Sequence, residues 1–151
     1  MDKYDKATRS RMMSAVRSRG NRSTEMRMVD LLKGAGLRGW RRHHGIPGRP
    51  DFCWPKLKVA LFVDGCFWHG CPYCRRPPKS NVEFWESKVA ANQRRDRRVS
   101  WQLRRRGWSV VRVRECKLGT RGALNRIVRA LARRGHDRAL AMVGAPADGR
   151  N

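Results

Sequence analysis

Six consecutive residues, Lys58-Val59-Ala60-Leu61-Phe62-Val63, carry five apolar side chains with no polar interruption. Apolar side chains on both faces predict a strand that is covered on both faces, as in a sheet sandwiched between helices. A second such strand is predicted at Trp108–Val113. Between them, Val82 to Arg106 reads as a long helix stopped by Gly107, with Phe84, Val89, Val99 and Leu103 on one face and Trp85 and Trp101 widening it. Strand, helix, strand is a βαβ crossover, so the two strands are expected to lie parallel in one sheet. Upstream, Trp40–His44 and Asp51–Trp54 are further short strands, separated by Gly45-Ile46-Pro47-Gly48 and closed by Pro55. A helix is expected from Ser23 or Thr24 through Met28, Val29 and Leu32 to Gly34 or Gly36. Another is expected over Arg121–Arg134, with Leu124, Ile127, Val128 and Leu131 on its buried side. The predicted class is α/β, a mixed central sheet flanked by helices, with Trp40, Trp54, Trp101 and Trp108 in the core.

The chain has 151 residues, one domain's worth. The domain is expected to span 1–135. A helix capped by Thr8 or Ser10, running to Arg19 and stopped by Gly20, would form an N-terminal helical segment within residues 1–20. The Gly-, Ala- and Pro-containing stretch 136–151 is expected to be a poorly ordered tail. Composition restricts the partner. The formal net charge is +24, from 36 Lys and Arg against 12 Asp and Glu, and 28 of the basic residues are Arg. Arginine forks onto phosphate and stacks on bases, which points to nucleic acid. No run of 18 apolar residues exists to cross a membrane, and Met1–Lys6 has no apolar stretch behind its charges, so a soluble, unexported protein is expected. Charge says nothing about chemistry. That has to come from the cysteines, histidines and few acids.

Of five cysteines, Cys66, Cys71 and Cys74 share one Gly/Pro-rich loop with spacing C-x4-C-x2-C, and C-x2-C is a common zinc half-site. Cys116 follows the strand Trp108–Val113. If that strand lies beside Lys58–Val63, both strand ends fall at one sheet edge and Cys116 completes a four-thiolate site. Disulfides are disfavoured in a chain with no export signal, and four thiolates leave no open position, so the zinc is expected to be structural. Cys53, inside a short apolar strand, reads as an inert buried thiol.

Among the acids, Asp51 follows Pro50 at the head of a strand, and Asp64 ends the apolar strand twelve residues later. Adjacent carboxylates of this kind hold Mg²⁺ in many nucleases, although the lysine that often accompanies them is missing here. Read alone, Asp51 is equally a turn aspartate. His69, between Cys66 and Cys71, is either a fourth zinc ligand or a catalytic base. Asp96, alone in Arg94-Arg95-Asp96-Arg97-Arg98, could orient that base or simply balance local charge.

Asp5-Lys6-Ala7-Thr8-Arg9-Ser10, Pro50-Asp51, Gly65-Cys66-Phe67-Trp68-His69, Glu83-Phe84-Trp85, Arg94-Arg95-Asp96-Arg97-Arg98 and Glu115-Cys116 occur in one order across residues 5–135. This pattern resembles the very-short-patch repair (Vsr) endonucleases. The resemblance implies a fold like that of type II restriction enzymes with an added zinc site. It implies a Mg²⁺-dependent enzyme that nicks double-stranded DNA 5′ of the T in T·G mismatches left by deamination of 5-methylcytosine. Asp51 would be the Mg²⁺ carboxylate and His69 the general base, with Asp96 orienting it. Glu25 would be a further active-site acid, and Val63 would contribute its backbone carbonyl to the metal. The role of Asp64 stays open, because some relatives carry His there. Cys66, Cys71, Cys74 and Cys116 would hold zinc, freeing His69 from that duty. Phe67, Trp68 and Trp85 match the aromatics that wedge into DNA, where a poorly stacked wobble pair opens more cheaply than a matched one. A bacterial, cytoplasmic, nucleoid-associated monomer is implied, with mismatch-repair proteins as candidate partners. Action against foreign DNA would leave the same motifs. A zinc-bearing DNA-binding module without catalysis would explain the charge and the cysteines but leave Asp51 and His69 idle. A zinc deaminase would need a Glu beside a His or Cys ligand and an open zinc position, and neither is found.

Overall fold

A computed structural model describes residues 5, 7, 8, 10, 11, 22–76 and 78–144 of the chain. A π-helical turn, Arg22–Met26, runs into helix α1 (Arg27–Gly34). Then come β1 (Arg41–Arg42), β2 (Phe52–Trp54) and β3 (Val59–Asp64), the long helix α2 (Val82–Arg105), β4 (Ser109–Arg114), α3 (Arg121–Ala132) and α4 (Asp137–Gly144). The four strands form one sheet in the order β1-β2-β3-β4. β1, β2 and β3 pair antiparallel, and β3 and β4 pair parallel from Val59↔Ser109 to Asp64↔Arg114. The sheet is therefore mixed, and the βαβ crossover predicted from the two apolar strands is present.

Strand alternation divides the core. Val59 and Leu61 of β3 and Val111 and Val113 of β4 pack with Met28, Leu32, Ile127, Val128 and Leu131 of α1 and α3. Ala60 and Phe62 point the other way, onto Val99 and Leu103 of α2, with Trp108 and Val110 at the border. Continuing at period two, Asp64 and Arg112 emerge on this second face, where the apolar cluster gives out. Polar groups therefore collect at the carboxyl end of the parallel strand pair, beneath α2.

Several expectations are corrected. Trp101 is 57% exposed and lies under the Arg105 guanidinium, 5.0 Å from ring centroid to carbon, rather than in the core. The residues of α2 that face the sheet are Val89, Val99 and Leu103, spaced ten and four apart, and Trp101 falls off that stripe. Phe84 is likewise 60% exposed. The stretch expected to be a poorly ordered tail carries α4, whose Ala139 is fully buried, and the helix is tied to the domain through Arg138 Nε donating to the Ala35 carbonyl. Ala139, Met142 and their spacing give it an apolar stripe that composition alone conceals. At the N-terminus, residues 7, 8, 10 and 11 are helical, and Asp5 accepts the Thr8 N–H at 2.6 Å, so the cap lies earlier than Thr8 or Ser10. The rest of the expected first helix, to Arg19 and Gly20, lies outside the described residues, as does 145–151. Cys53, Trp54 and Phe52 are buried as expected, and Trp40 packs edge-on to Phe52. Among the described residues, no helix is long and apolar enough to cross a membrane.

Candidate functional site

An open cleft of about 840 Å³ lies at the carboxyl end of β3 and β4, between the π-helical turn and α2. Its lining includes Glu25, Asp51, Val63, Asp64, His69, Asp96 and Arg112, so charged and hydrogen-bonding groups converge on it. Backbone geometry delivers them. Gly48, at φ +76°, lets the loop before Asp51 touch α2, because a Cβ there would meet Val99 Cγ1 at 2.2 Å. Gly70, at φ +60°, does the same for the loop after β3, where a Cβ would lie 2.7 Å from Val89 Cγ1. That loop is also pinned to α2 by Asn92 Nδ2 donating to the Trp68 carbonyl at 2.9 Å and Gln93 Nε2 to the His69 carbonyl at 3.2 Å.

Two ligand-bearing groups flank the cleft. In the first, Glu25, His43 and Asp51 bring one donor atom each within 4.8 Å of one another. Glu25 is buried on the π-helical turn, an irregularity frequent at functional sites. Asp51 Oδ2 accepts the Val63 N–H at 2.6 Å, which locks β2 to the end of β3. Burial, reinforced by the negative charge of Glu25 and Asp64, pushes the Asp51 carboxyl up from 3.8 to about 6, against the pull of the Val63 N–H. Carboxylates crowded in this way suit a hard divalent cation, which supplies the missing positive charge.

In the second, His69 Nδ1 meets Asp96 Oδ2 at 2.5 Å and stands 3.9 Å from Asp64 Oδ1. Arg112 bridges the two acids, NH1 to Asp64 at 2.7 Å and NH2 to Asp96 at 3.2 Å, and its guanidinium lies 4.4 Å from the centroid of Phe62. Burial raises the Asp96 carboxyl, but the His69 hydrogen bond and the Arg112 and Arg95 charges outweigh it and hold Asp96 below the usual range. Asp96 is thus an anion fixed against the imidazole, the arrangement that orients a base and increases its basicity.

At the sheet edge, Cys66, Cys71, Cys74 and Cys116 form a third group with sulfur atoms within 4.8 Å of one another. The parallel register Asp64↔Arg114 explains it, since Cys66 and Cys116 each follow by two residues. Cys71 Sγ and Cys116 Sγ are 3.7 Å apart, the Cys116 N–H points at Cys66 Sγ, and the Cys66 N–H donates to Glu115. Burial pushes the Cys66 thiol up. Burial opposes ionisation of Cys71 too, but the Tyr73 and Cys74 N–H groups and the neighbouring thiols overcome it and bring Cys71 down to about 6. Four converging thiols with no disulfide are a donor set that fits a soft tetrahedral cation.

Beside the cleft, Phe67, Trp68 and Trp85 stack edge-to-face with centroids 5.3 to 5.9 Å apart. Phe84 joins them against Trp85 at 5.1 Å. The structure therefore brings every expected site residue into one neighbourhood: Asp51, Val63 and Glu25 on one wall, His69 and Asp96 on the other, with the aromatics and the four cysteines adjoining. Sequence reasoning missed His43, Arg112 and Phe84. A period-two count along Trp108–Val113 would have placed Arg112 on the face of α2. No sequence signal marks His43.

The family model described as "DNA mismatch endonuclease Vsr" matches residues 1–75. The DNA mismatch endonuclease Vsr of Escherichia coli (strain K12) is 41% identical over 125 residues, covering 82% of this chain and 79% of that protein. The type II nicking enzyme V.XorIIP of Xanthomonas oryzae pv. oryzae is 38% identical over 125 residues, 82% of this chain and 90% of that protein. The type II nicking enzyme V.NmeDIP of Neisseria meningitidis serogroup C is 39% identical over 114 residues, 74% and 76% of the two chains.

Proposed function

The chain belongs to the Vsr family of DNA mismatch endonucleases and is a DNA endonuclease, and from that premise we propose how its cleft recognises and cuts DNA. The substrate is double-stranded DNA with a T·G mismatch from deaminated 5-methylcytosine, nicked 5′ of the T by phosphodiester hydrolysis. The fold is of the restriction-endonuclease type, braced by a structural zinc on Cys66, Cys71, Cys74 and Cys116. The protein works as a monomer on the bacterial nucleoid in the cytoplasm, with mismatch-repair proteins as candidate partners. The observation that carries the reading is the pairing of a His69–Asp96 dyad with the Asp51 carboxylate across a single cleft.

Asp51 and the Val63 carbonyl would hold Mg²⁺, with Glu25 beside them, and the ion would supply charge neutralisation for the phosphate's non-bridging oxygens and the leaving oxygen. His69 takes the proton from the attacking water on its Nε2, and Asp96, hydrogen-bonded to Nδ1, fixes that tautomer and stabilises the imidazolium. Arg112 keeps Asp96 charged and in place. Phe67, Trp68 and Trp85 wedge at the mismatch, where unstacking costs less than in matched duplex. Exposed arginines grip phosphates without reading sequence.

The test is a panel of duplexes carrying T·G, U·G or matched C·G in varied flanking sequence, incubated with and without Mg²⁺. Mg²⁺-dependent nicking 5′ of the mismatched T, lost in Asp51→Ala and His69→Ala while binding persists, is the expected result. Equal cutting of C·G duplex removes the mismatch reading, and full activity of either variant removes the residue assignment.

A further inference from the structure

His43 lies outside the motifs that carry the family pattern, yet its ring enters the Glu25–Asp51 group. Three features set it apart. It has φ 50°, a left-handed conformation that among the described residues it shares only with Arg49, Lys58, Asn81 and glycines, and that recurs at ligand sites. Its Nε2 is buried and, among the described residues, makes no hydrogen bond, although Glu25 Oε2 lies 3.2 Å away. Its backbone N–H reaches the Asp51 carbonyl at 3.4 Å, tying the residue to the strand that carries the metal carboxylate. Arg42 donates to the same Glu25 oxygen, so His43 Nε2 stands beside a carboxylate that is already engaged and makes no hydrogen bond to it. A buried nitrogen that makes no hydrogen bond calls for an explanation, and a cation between it and two carboxylate oxygens within 4.8 Å would supply one.

We propose that His43 is a nitrogen ligand to the cation that Asp51 and the Val63 carbonyl would hold beside Glu25, so that the site binds a divalent transition ion such as Mn²⁺ more tightly than Mg²⁺. The inference rests on the reading of Asp51 as the metal carboxylate. An all-oxygen set suits Mg²⁺, whose hydration shell is surrendered reluctantly, whereas replacing one oxygen by imidazole favours first-row transition ions. Asp51, the Val63 carbonyl and the His43 imidazole, with Glu25 alongside, leave further positions for water or a phosphate oxygen. The mixed donor set would let the enzyme work at transition-ion concentrations far below those of Mg²⁺.

The experiment uses the zinc-loaded full chain with Mn²⁺ alone as the probe. Binding is followed by loss of the free-ion paramagnetic resonance signal, and pulsed spectra of the bound ion report any coupled ¹⁴N. Wild type is expected to bind Mn²⁺ with ¹⁴N modulation that changes to the ¹⁵N pattern when the protein is labelled with ¹⁵N-histidine. His43→Gln should lose the modulation and bind Mn²⁺ at least about tenfold more weakly, the lower end of what losing even an outer partner of a metal ligand does. His69→Gln should retain both. Bound Mn²⁺ without nitrogen coupling in wild type, or coupling that survives His43→Gln and disappears in His69→Gln, overturns the proposal. The wild-type spectrum decides even if His43→Gln does not fold. Asp51→Asn separates the two readings. If it abolishes Mn²⁺ binding while wild type lacks nitrogen coupling, only the role of His43 fails. If binding is absent in wild type or indifferent to Asp51→Asn, the assignment of Asp51 fails with it.

Discussion

Asp51 is ionised at neutral pH at a cost the metal-free fold has to bear, so Asp51→Asn should stabilise the protein that it inactivates. The carboxyl titrates at about 6 in the fold, against 3.8 ordinarily, with burial as the leading cause and the charges of Glu25 and Asp64 adding to it. A raised carboxyl gives stability that is fully present below pH 3.8 and is lost as pH climbs through 6. Above that, the ionised group weakens the fold by up to about 3 kcal/mol. Asparagine carries no charge at any pH, and its Oδ1 can still accept the Val63 N–H. The variant should therefore melt higher than wild type at pH 7.5 by on the order of 6 °C, at roughly 2–4 °C per kcal/mol for a chain of this size. The gap should close between pH 6 and pH 4. The assay is thermal unfolding of zinc-loaded protein across that range without added Mg²⁺, followed by repetition at saturating Mg²⁺. Added ion should raise wild type and leave the variant unmoved, since only the ionised carboxylate binds it. Nicking by the variant should fall by about three orders of magnitude, the rate equivalent of roughly 4 kcal/mol. A melting difference independent of pH, or a variant less stable than wild type at pH 7.5, would refute the idea that Asp51 is a strained anion awaiting a cation.

Arg112→Leu should lower both folding stability, by about 2 kcal/mol for the lost charged hydrogen bonds, and single-turnover nicking, by ten- to a hundredfold as expected for an outer partner of a catalytic group; urea midpoints and rapid-quench rates test it, and an unchanged rate would show that Asp96 needs no support. Phe84→Ala should leave stability within about 0.5 kcal/mol, because the ring is already exposed, yet weaken binding to a T·G duplex by up to about 1–3 kcal/mol if the ring stacks on a base; identical binding curves would remove Phe84 from the interface. Elemental analysis should find one zinc per chain in wild type, and Cys71→Ser should lose it together with several degrees of melting temperature; a metal-free wild type as stable as the native protein would show that the four thiols are not a structural site.

What could be read from the chain depended on whether a residue's role is periodic or convergent. Val59–Val63 and Val110–Val113 announce their strands because burial on both faces writes itself into consecutive residues, and the parallel register then places Cys66 beside Cys116. Trp101 shows the limit: on a 24-residue helix whose buried stripe is narrow, a large aromatic next to Ser100 can face outward and stack on Arg105. Helix α4 was hidden because Gly135 and the Ala-rich run after it look like a tail until Ala139 is seen against the core. The dyad of His69 and Asp96 spans 27 residues and two elements, so spacing alone says nothing of it, and the family motif supplied that pair. Arg112 and His43 belong to no motif; strand parity puts Arg112 on the α2 face, but its contacts with Asp64 and Asp96, and that of His43 with Glu25, come from the fold.

Cys66-Phe67-Trp68-His69-Gly70-Cys71 joins two candidate metal-binding thiols, two candidate wedge aromatics and the candidate base in six consecutive residues. The segment is held at both ends, by Cys66 and Cys71 in the thiol group and by Asn92 and Gln93 of α2 on the carbonyls of Trp68 and His69. Phe67 and Trp68 also rest on Trp85 of the same helix. A segment this short, held at its carbonyls and against Trp85, couples the placement of its aromatics to that of the adjacent imidazole. If Phe67 and Trp68 wedge as proposed, force from a stack that resists opening would reach His69 one or two residues away, and from there its 2.5 Å contact with Asp96. A matched pair, costlier to unstack, would displace the base from its oriented position, whereas a wobble pair that yields would leave it there. On the proposed reading, discrimination and cleavage would be two consequences of one braced loop, with candidate metal-binding cysteines bracketing the aromatics and the candidate base.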